Sequence, residues 1–293
     1  MPTSPTRRAF LELHIAVLLY GFTAILGDWI TLSAVVLVWW RVFLVTITLL
    51  FVVRAARLLR RLPRALLLRY AGIGVLIALH WVCFYGSIKL ANASVSLVTM
   101  ATTSFFTAFL EPLLLRRRVD AVEIALGLVV VPAMLLISRG MDAGMYAGLF
   151  VGFLSAFLAA LFGVLNKRYV ERADPLEITW LELGSAWLFL SLVLPLLWAS
   201  GTVTEFWPQS GDWLLLLVLA LFCTVLAFWL NLRALQHLSA FVTNLTINLE
   251  PVYGLVLAAV LLREYEQLGG EFYLGGLLIL GAVVFASLRT RPA

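Results

Sequence analysis

The stretch "NLTINLEPVYGL", residues 244–255, places Glu250 and Pro251 side by side in a run that otherwise reads as a buried helix. A carboxylate and a helix breaker are both costly inside an apolar helix, so their surroundings decide what they are for. The chain is 63% hydrophobic and only 13% charged, with a mean hydropathy of +1.03, whereas soluble domains carry about 25% charged residues. Apolar runs of about 18 to 25 residues recur along the whole length, and each can cross roughly 30 Å of hydrocarbon. The expected fold is an all-α integral membrane protein. Its ten spans are expected near 10–27, 33–54, 66–88, 94–115, 120–138, 143–166, 176–199, 212–234, 240–262 and 271–288.

The first run lacks a small-x-small cleavage site and leads straight into a second span, so it is expected to be retained. No segment between spans is long enough to fold alone, and the bundle is the domain. The net charge of +5 is explained by where the charges lie. With an inside amino terminus, 17 of the 21 Lys and Arg residues fall on inner segments, including the runs from Arg54 to Arg69 and from Arg116 to Arg118. This is the positive-inside bias, and it predicts both termini in the cytoplasm and no nucleic-acid partner. Cys83 and Cys223 fall inside spans with no metal or disulfide spacing and read as apolar fillers.

"LEP" occurs twice, at 110–112 and 249–251, but superposing the two copies lays Arg116 inside the ninth span. A shift of 147 residues instead matches Ala93 with Ala240, Thr99 with Thr246 and Arg116 with Arg263, so that helix ends meet helix ends. The chain then divides into two five-helix repeats, 1–138 and 139–293. An odd number of spans per repeat makes them inverted, which points to alternating access.

In this register Thr243, Thr246, Glu250 and Tyr253 follow spacings of 3, 4 and 3 and share a face of the ninth helix. Ser96, Thr99, Thr103 and Phe106 repeat the stripe on the fourth. Hydroxyl stripes can be interhelical glue, but Glu250 lies roughly 15 Å from Ala240, at the middle of the bilayer, where an acid costs at least about 2.5 kcal/mol. Such a residue normally faces a cavity or a partner, and Pro251 frees the carbonyl of Ile247 one turn away. Arg41 reaches a similar depth, and a pairing of the two stands open. Glu182 occupies the matching place on the seventh helix. Arg41, Glu182, Glu111 (five residues before Arg116), Asn248 and Pro251 are read as structural or gating residues. His80, Trp81 and Tyr85 crowd one stretch of the third helix, and Asn166 ends a face of the sixth that carries Ser155, Ala159 and Phe162. The Gly148–Gly152 GxxxG reads as close internal packing.

The segments "LVWWR", "LHWVCFYGSIKLANASVSLV", "FLEPLLLRRR", "ALFGVLNKR" and "NLTINLEPVYGLVLA" resemble the EamA-type proteins of the drug/metabolite transporter superfamily, over about residues 10–288. The resemblance implies a central cavity lined by helices 1, 3, 4, 6, 8 and 9, with His80, Trp81, Tyr85, Thr99, Thr103, Asn166 and Glu250 near it. It also implies export of small metabolites. Relatives often carry Pro on the fourth helix where this chain has Ser104, which sets the symmetry of the two kinks in question.

No GxSxG, HExxH or aspartate-rich pair supports an intramembrane enzyme, and no cofactor is expected. A membrane scaffold is disfavoured by the embedded acid and by the repeat. The expected function is secondary transport of a small polar or cationic metabolite, of the amino acid or amine class, out across a bacterial inner membrane. Protons or a counter-substrate would drive it, since no nucleotide-binding motif is present. The oligomeric state is left open. The alternative is a flippase for a lipid or lipid-linked intermediate, whose cavity would open sideways with apolar walls.

Overall fold

The computed structural model describes residues 5–116, 118, 121–247 and 249–289, and among these every regular element is a helix. Helix α1 (Pro5–Trp29) is followed by α2 (Ala34–Leu50), the short α3 (Ala55–Arg61) bent by 90° from it, and α4 (Arg64–Leu90). The next segments are in pieces: α5 (Ala93–Met100) and α6 (Thr103–Leu115), then α7 (Ala121–Leu128) and α8 (Val130–Arg139). Long helices α9 (Tyr146–Tyr169) and α10 (Pro175–Ala199) come next. α10 starts at a capping box of Asp174 and Glu177, with Pro175 at its first position. α11 (Ser210–Ala220) runs through a π turn (Leu221–Leu226) into α12 (Ala227–His237). α13 (Ala240–Ile247), α14 (Glu250–Leu257), a second π turn (Ala258–Leu262) and α15 (Gly270–Arg289) complete the chain.

Six of the described helices, taken with their continuations, are long and apolar enough to cross a membrane, or seven if the bent α2–α3 pair is one span. The protein is therefore a multi-pass membrane protein. The first four and the sixth to eighth expected spans fall on these helices, and the fifth, ninth and tenth fall on α7–α8, α13–α14 and α15, each of which includes side chains outside the described residues.

α4 packs along both α9 and α10, α1 lies against α12 and α14, α2 against α10, and α8 against α15. The GxxxG of α9 is internal: a Cβ at Gly148 would overlap Ala91, and one at Gly152 would overlap the Thr99 hydroxyl. The absent side chains let α9 approach α4 and α5 at backbone distance.

The divided helices are alike in detail. α5 and α13 begin 147 residues apart and end 147 residues apart, and α6 and α14 resume at Thr103 and Glu250, again 147 apart. At each break the helix tightens by one residue: Thr102 N–H donates to Thr99 O (3.0 Å) as Leu249 N–H does to Thr246 O (3.1 Å). Each segment also ends in a left-handed arginine, Arg116 or Arg263, both at φ 55°, and these are the described non-glycine residues with positive φ. The left-handed conformation is uncommon for such a residue, and at a helix C-terminus it ends the ladder.

Candidate functional site

The break in α5–α6 needs no proline. Thr99, Thr102, Thr103 and Ser104 each donate a side-chain hydroxyl to the carbonyl three residues back, at 2.7, 2.7, 2.6 and 3.4 Å, and Thr107 donates four back to Thr103 O at 2.8 Å. Such back-bonding competes with the ladder and bends helices. In α13–α14 the helix restarts with Pro251 in its first turn, where its missing N–H is an orphan in any case. The two kinks thus coincide even though only one carries proline.

A cavity of about 90 Å³ opens where the two breaks meet. Its walls are Tyr20 and Thr23 of α1, Arg41 of α2, His80, Trp81 and Phe84 of α4, and Ala159, Phe162, Gly163 and Asn166 of α9. Phe228, Asn231, Leu232 and Leu235 of α12 continue them, and Met100, Thr103, Thr243, Ile247 and Glu250 come from the divided helices. Four pairs of lining residues are themselves 147 apart: Trp81 with Phe228, Phe84 with Asn231, Met100 with Ile247, and Thr103 with Glu250. Each repeat contributes the same positions and different chemistry.

The structure brings Glu250, His80, Trp81, Thr103, Asn166 and Thr243 of the expected binding residues to this cavity, and adds Arg41. Tyr85 stands behind Arg41, fully buried. Thr99 and Thr246 are buried but turn their hydroxyls to Ser96 O and Val242 O (2.7 and 2.9 Å). Tyr253 is not brought to the cavity: it is 42% exposed, on the edge of α14 that meets α1 at Gly21. Three residues on from Glu250, Tyr253 lies about 60° around the helix, and on that side α14 meets α1 at Gly21 rather than the cavity. Of the residues read as structural or gating, Glu111 is buried in α6 away from the cavity, and Glu182 is buried on α10 beside Asn166. Asn248 lies outside the described residues, as does the side chain of Pro251.

Arg41 does not pair with Glu250: among the described residues no ion pair joins them within 4.0 Å. Its Nε donates to Thr224 Oγ1 (2.7 Å), NH1 to the Tyr85 hydroxyl (2.8 Å) and NH2 to Cys223 O (3.3 Å), while Cζ stacks 3.7 Å from the centre of the Trp81 ring. The π turn serves this contact: Thr224 Oγ1 donates to Leu219 O five residues back (2.6 Å), which orients the hydroxyl to accept from Arg41. The guanidinium is thus committed to the wall.

His80 Nδ1 lies 3.0 Å from Ser155 O and 2.8 Å from Ser155 Oγ, whose own proton goes to His80 O (2.9 Å). A carbonyl only accepts, so Nδ1 carries the hydrogen and Nε2 is left as an acceptor. Asn166 Oδ1, Asn231 Oδ1 and Thr243 Oγ1 are buried with no hydrogen-bond partner among the described residues, an arrangement that calls for an explanation. The cavity therefore presents unfilled acceptors, one carboxyl group and the rings of Tyr20, Phe84, Phe162 and Phe228. Tyr20 and Asn231 were missed in the sequence. Asn231 carries a signal that could have found it, an amide in the apolar run "FWLNL" opposite Phe84 in the 147-residue register.

No curated protein sequence matches the chain. A solved structure described as "Crystal structure of protein" aligns with a TM-score of 0.66 at 17% identity over 96% of each chain, which shows a shared fold. The model of the EamA-like transporter family matches twice, over residues 8–139 and 146–288, and so covers nearly the whole chain as two repeats. The protein belongs to the EamA-like transporter family and is a membrane transporter of the drug/metabolite transporter type.

Proposed function

We propose that this protein exports a small cationic metabolite, an amine or a basic amino acid, by alternating access across a bacterial inner membrane, with both termini in the cytoplasm. Ten spans in two inverted repeats, 1–138 and 139–293, form the machine. The observation that carries this reading is the composition of the cavity. Glu250, the acceptor oxygens of Asn166 and Asn231, and His80 Nε2 surround a space bounded by aromatic faces, while the cation Arg41 is already committed to Thr224, Tyr85, Cys223 O and Trp81. An ammonium group would fill the acceptors and lie over the rings. The packing supports a two-fold relation of the repeats, since α4 on α9 is answered by α12 on α1 and α6 on α9 by α14 on α1, and an odd number of spans in each makes that relation an inversion.

Thermal shift of the purified protein with phenethylamine against phenylacetate, matched in size and opposite in charge, tests the reading. Stabilisation by the amine, absent in Glu250→Gln, is the expected result; stabilisation by the anion, or by phospholipid alone as a flippase would show, sinks it.

A further inference from the structure

Glu182 is one helix removed from the cavity. It is wholly buried on α10, with its backbone carbonyl so close to α4 that a Cβ at Gly74 would overlap it. Its Oε2 accepts from Asn166 Nδ2 at 3.3 Å. Its Oε1 has no hydrogen-bond partner among the described residues, and neither has the other end of the same amide, Asn166 Oδ1.

Several polar and charged groups on the elements packed around α10 have partners of their own. On α4, Tyr70 donates to Tyr169 O at 2.9 Å. On α9, Lys167 donates to Leu235 O and Leu238 O at 2.8 and 2.6 Å. On α12, Arg233 pairs with Glu12 at 2.8 Å, and on α10 itself Glu177 pairs with Arg61. On α2, the hydroxyl of Thr46, beside Gly184, is bonded to Val42 O. Among the described residues no cation lies within 4.0 Å of Glu182, and an isolated buried carboxylate is far too costly to persist.

Two acceptors left over on a carboxyl and an amide that already share one bond are the signature of one missing hydrogen. A proton on Oε1 would make it a donor, for which Oδ1, the other unpartnered atom of the pair, is the acceptor that would complete a two-bond ring. A divalent metal ion does not fit, since it takes about six oxygens and the described residues hold no cluster able to supply them.

We propose that Glu182 and Asn166 form a proton-binding site, separate from Glu250, that couples transport to protons. Asn166 is the link, because the amide that holds Glu182 also lines the cavity. With the ring closed the amide is held against α10. When the transport cycle admits water to Glu182 and Oε1 loses its proton, the Oε1–Oδ1 bond is broken while Nδ2 stays on the carboxylate, and Asn166 Oδ1 is released to the cavity, where it accepts from the substrate's donors. The consequence for transport rests on the proposed amine export, whereas the proton site does not.

Infrared spectroscopy of the full-length protein in lipid vesicles, in water and in deuterated water, reads the site without substrate. A carbonyl stretch of a protonated carboxylic acid is expected that shifts on deuteration, disappears in Glu182→Gln and remains in Glu250→Gln. Identical wild-type and Glu182→Gln spectra at every pH from about 4 to about 9, the range that spans an ordinary and a strongly buried carboxyl group, overturn the proposal. Gln supplies its own N–H to Asn166 Oδ1, so the variant should melt within about 2 °C of wild type. If it does not fold, Asn166→Leu must move the same band, and a band that stays in place overturns the proposal as well. In vesicles, an imposed pH gradient should speed phenethylamine transport by at least about tenfold in wild type and leave Glu182→Gln unaffected. Gradient-driven transport by Glu182→Gln would overturn the coupling role, whereas the infrared band with no phenethylamine transport by any variant would uphold the proton site and refute the amine reading instead.

Discussion

The two divided helices, α5–α6 and α13–α14, are the same object built from different parts. They begin, break and end at positions 147 residues apart, and both finish in a left-handed arginine. One is bent by a ladder of threonine hydroxyls returned to the backbone, the other restarts on a proline. At the point where each helix resumes, one offers Thr103 to the cavity and the other Glu250. The scaffold can thus be symmetric while the site is not, since a break needs only a backbone amide released from the ladder and the side chain at that point remains free to vary.

The comparison can be broken most forcefully by erasing its asymmetry. Glu250→Thr, which copies the first repeat into the second, is expected to lower phenethylamine transport in vesicles by at least about a hundredfold, since the ammonium loses its charge-assisted partner. Transport within twofold of wild type would mean the carboxyl group is not the recognition element.

The reverse change, Thr103→Glu, places a second acid across the cavity from the first. It should lower stability by about 2.5 to 3.5 kcal/mol in denaturation of the reconstituted protein, the cost of an unpaired acid at the middle of a bilayer. An unchanged midpoint would show that this wall is wetter than its neighbours imply.

Packing around the first break is tested by Gly152→Ala. The new methyl would overlap the Thr99 hydroxyl and Ser87 Oγ, and overpacking of this kind costs about 1 to 3 kcal/mol. The corresponding drop in melting temperature is the readout.

The smallest effect belongs to Ser104→Pro, which gives the first repeat the proline of the second. Ser104 is the second residue of α6, and no backbone hydrogen bond from its N–H accompanies those around the break. Its stability should therefore stay within about 1 kcal/mol of wild type, where proline inside a continuous helix costs about 3 kcal/mol or more. A large loss would mean that the ladder runs unbroken through this point.

Much of this was legible in the residues. The 147-residue register could be read because helix ends are chemically marked, by Asn92 and Ser239 before the starts and by Arg116 and Arg263 at the finishes. Glu250 stood out because its cost in hydrocarbon is large. Tyr253 was misplaced because a stripe of spacings 3, 4 and 3 drifts around the helix, and its last member had already turned toward α1. Similar depth left a pairing of Arg41 with Glu250 open, because depth says nothing of which helices touch.

The sequence by itself determined the solvent, the helical class, the repeat and the one acid at mid-depth, because each follows from transfer energies and local periodicity. Only the tertiary structure decided which polar groups are already satisfied. It committed Arg41 to α4 and the π turn, tied His80 to Ser155, and left Asn166 Oδ1, Asn231 Oδ1 and Glu182 Oε1 without hydrogen-bond partners among the described residues. Hydrogen bonding between distant segments depends on distances of a few tenths of an ångström, and those are fixed only when the helices pack.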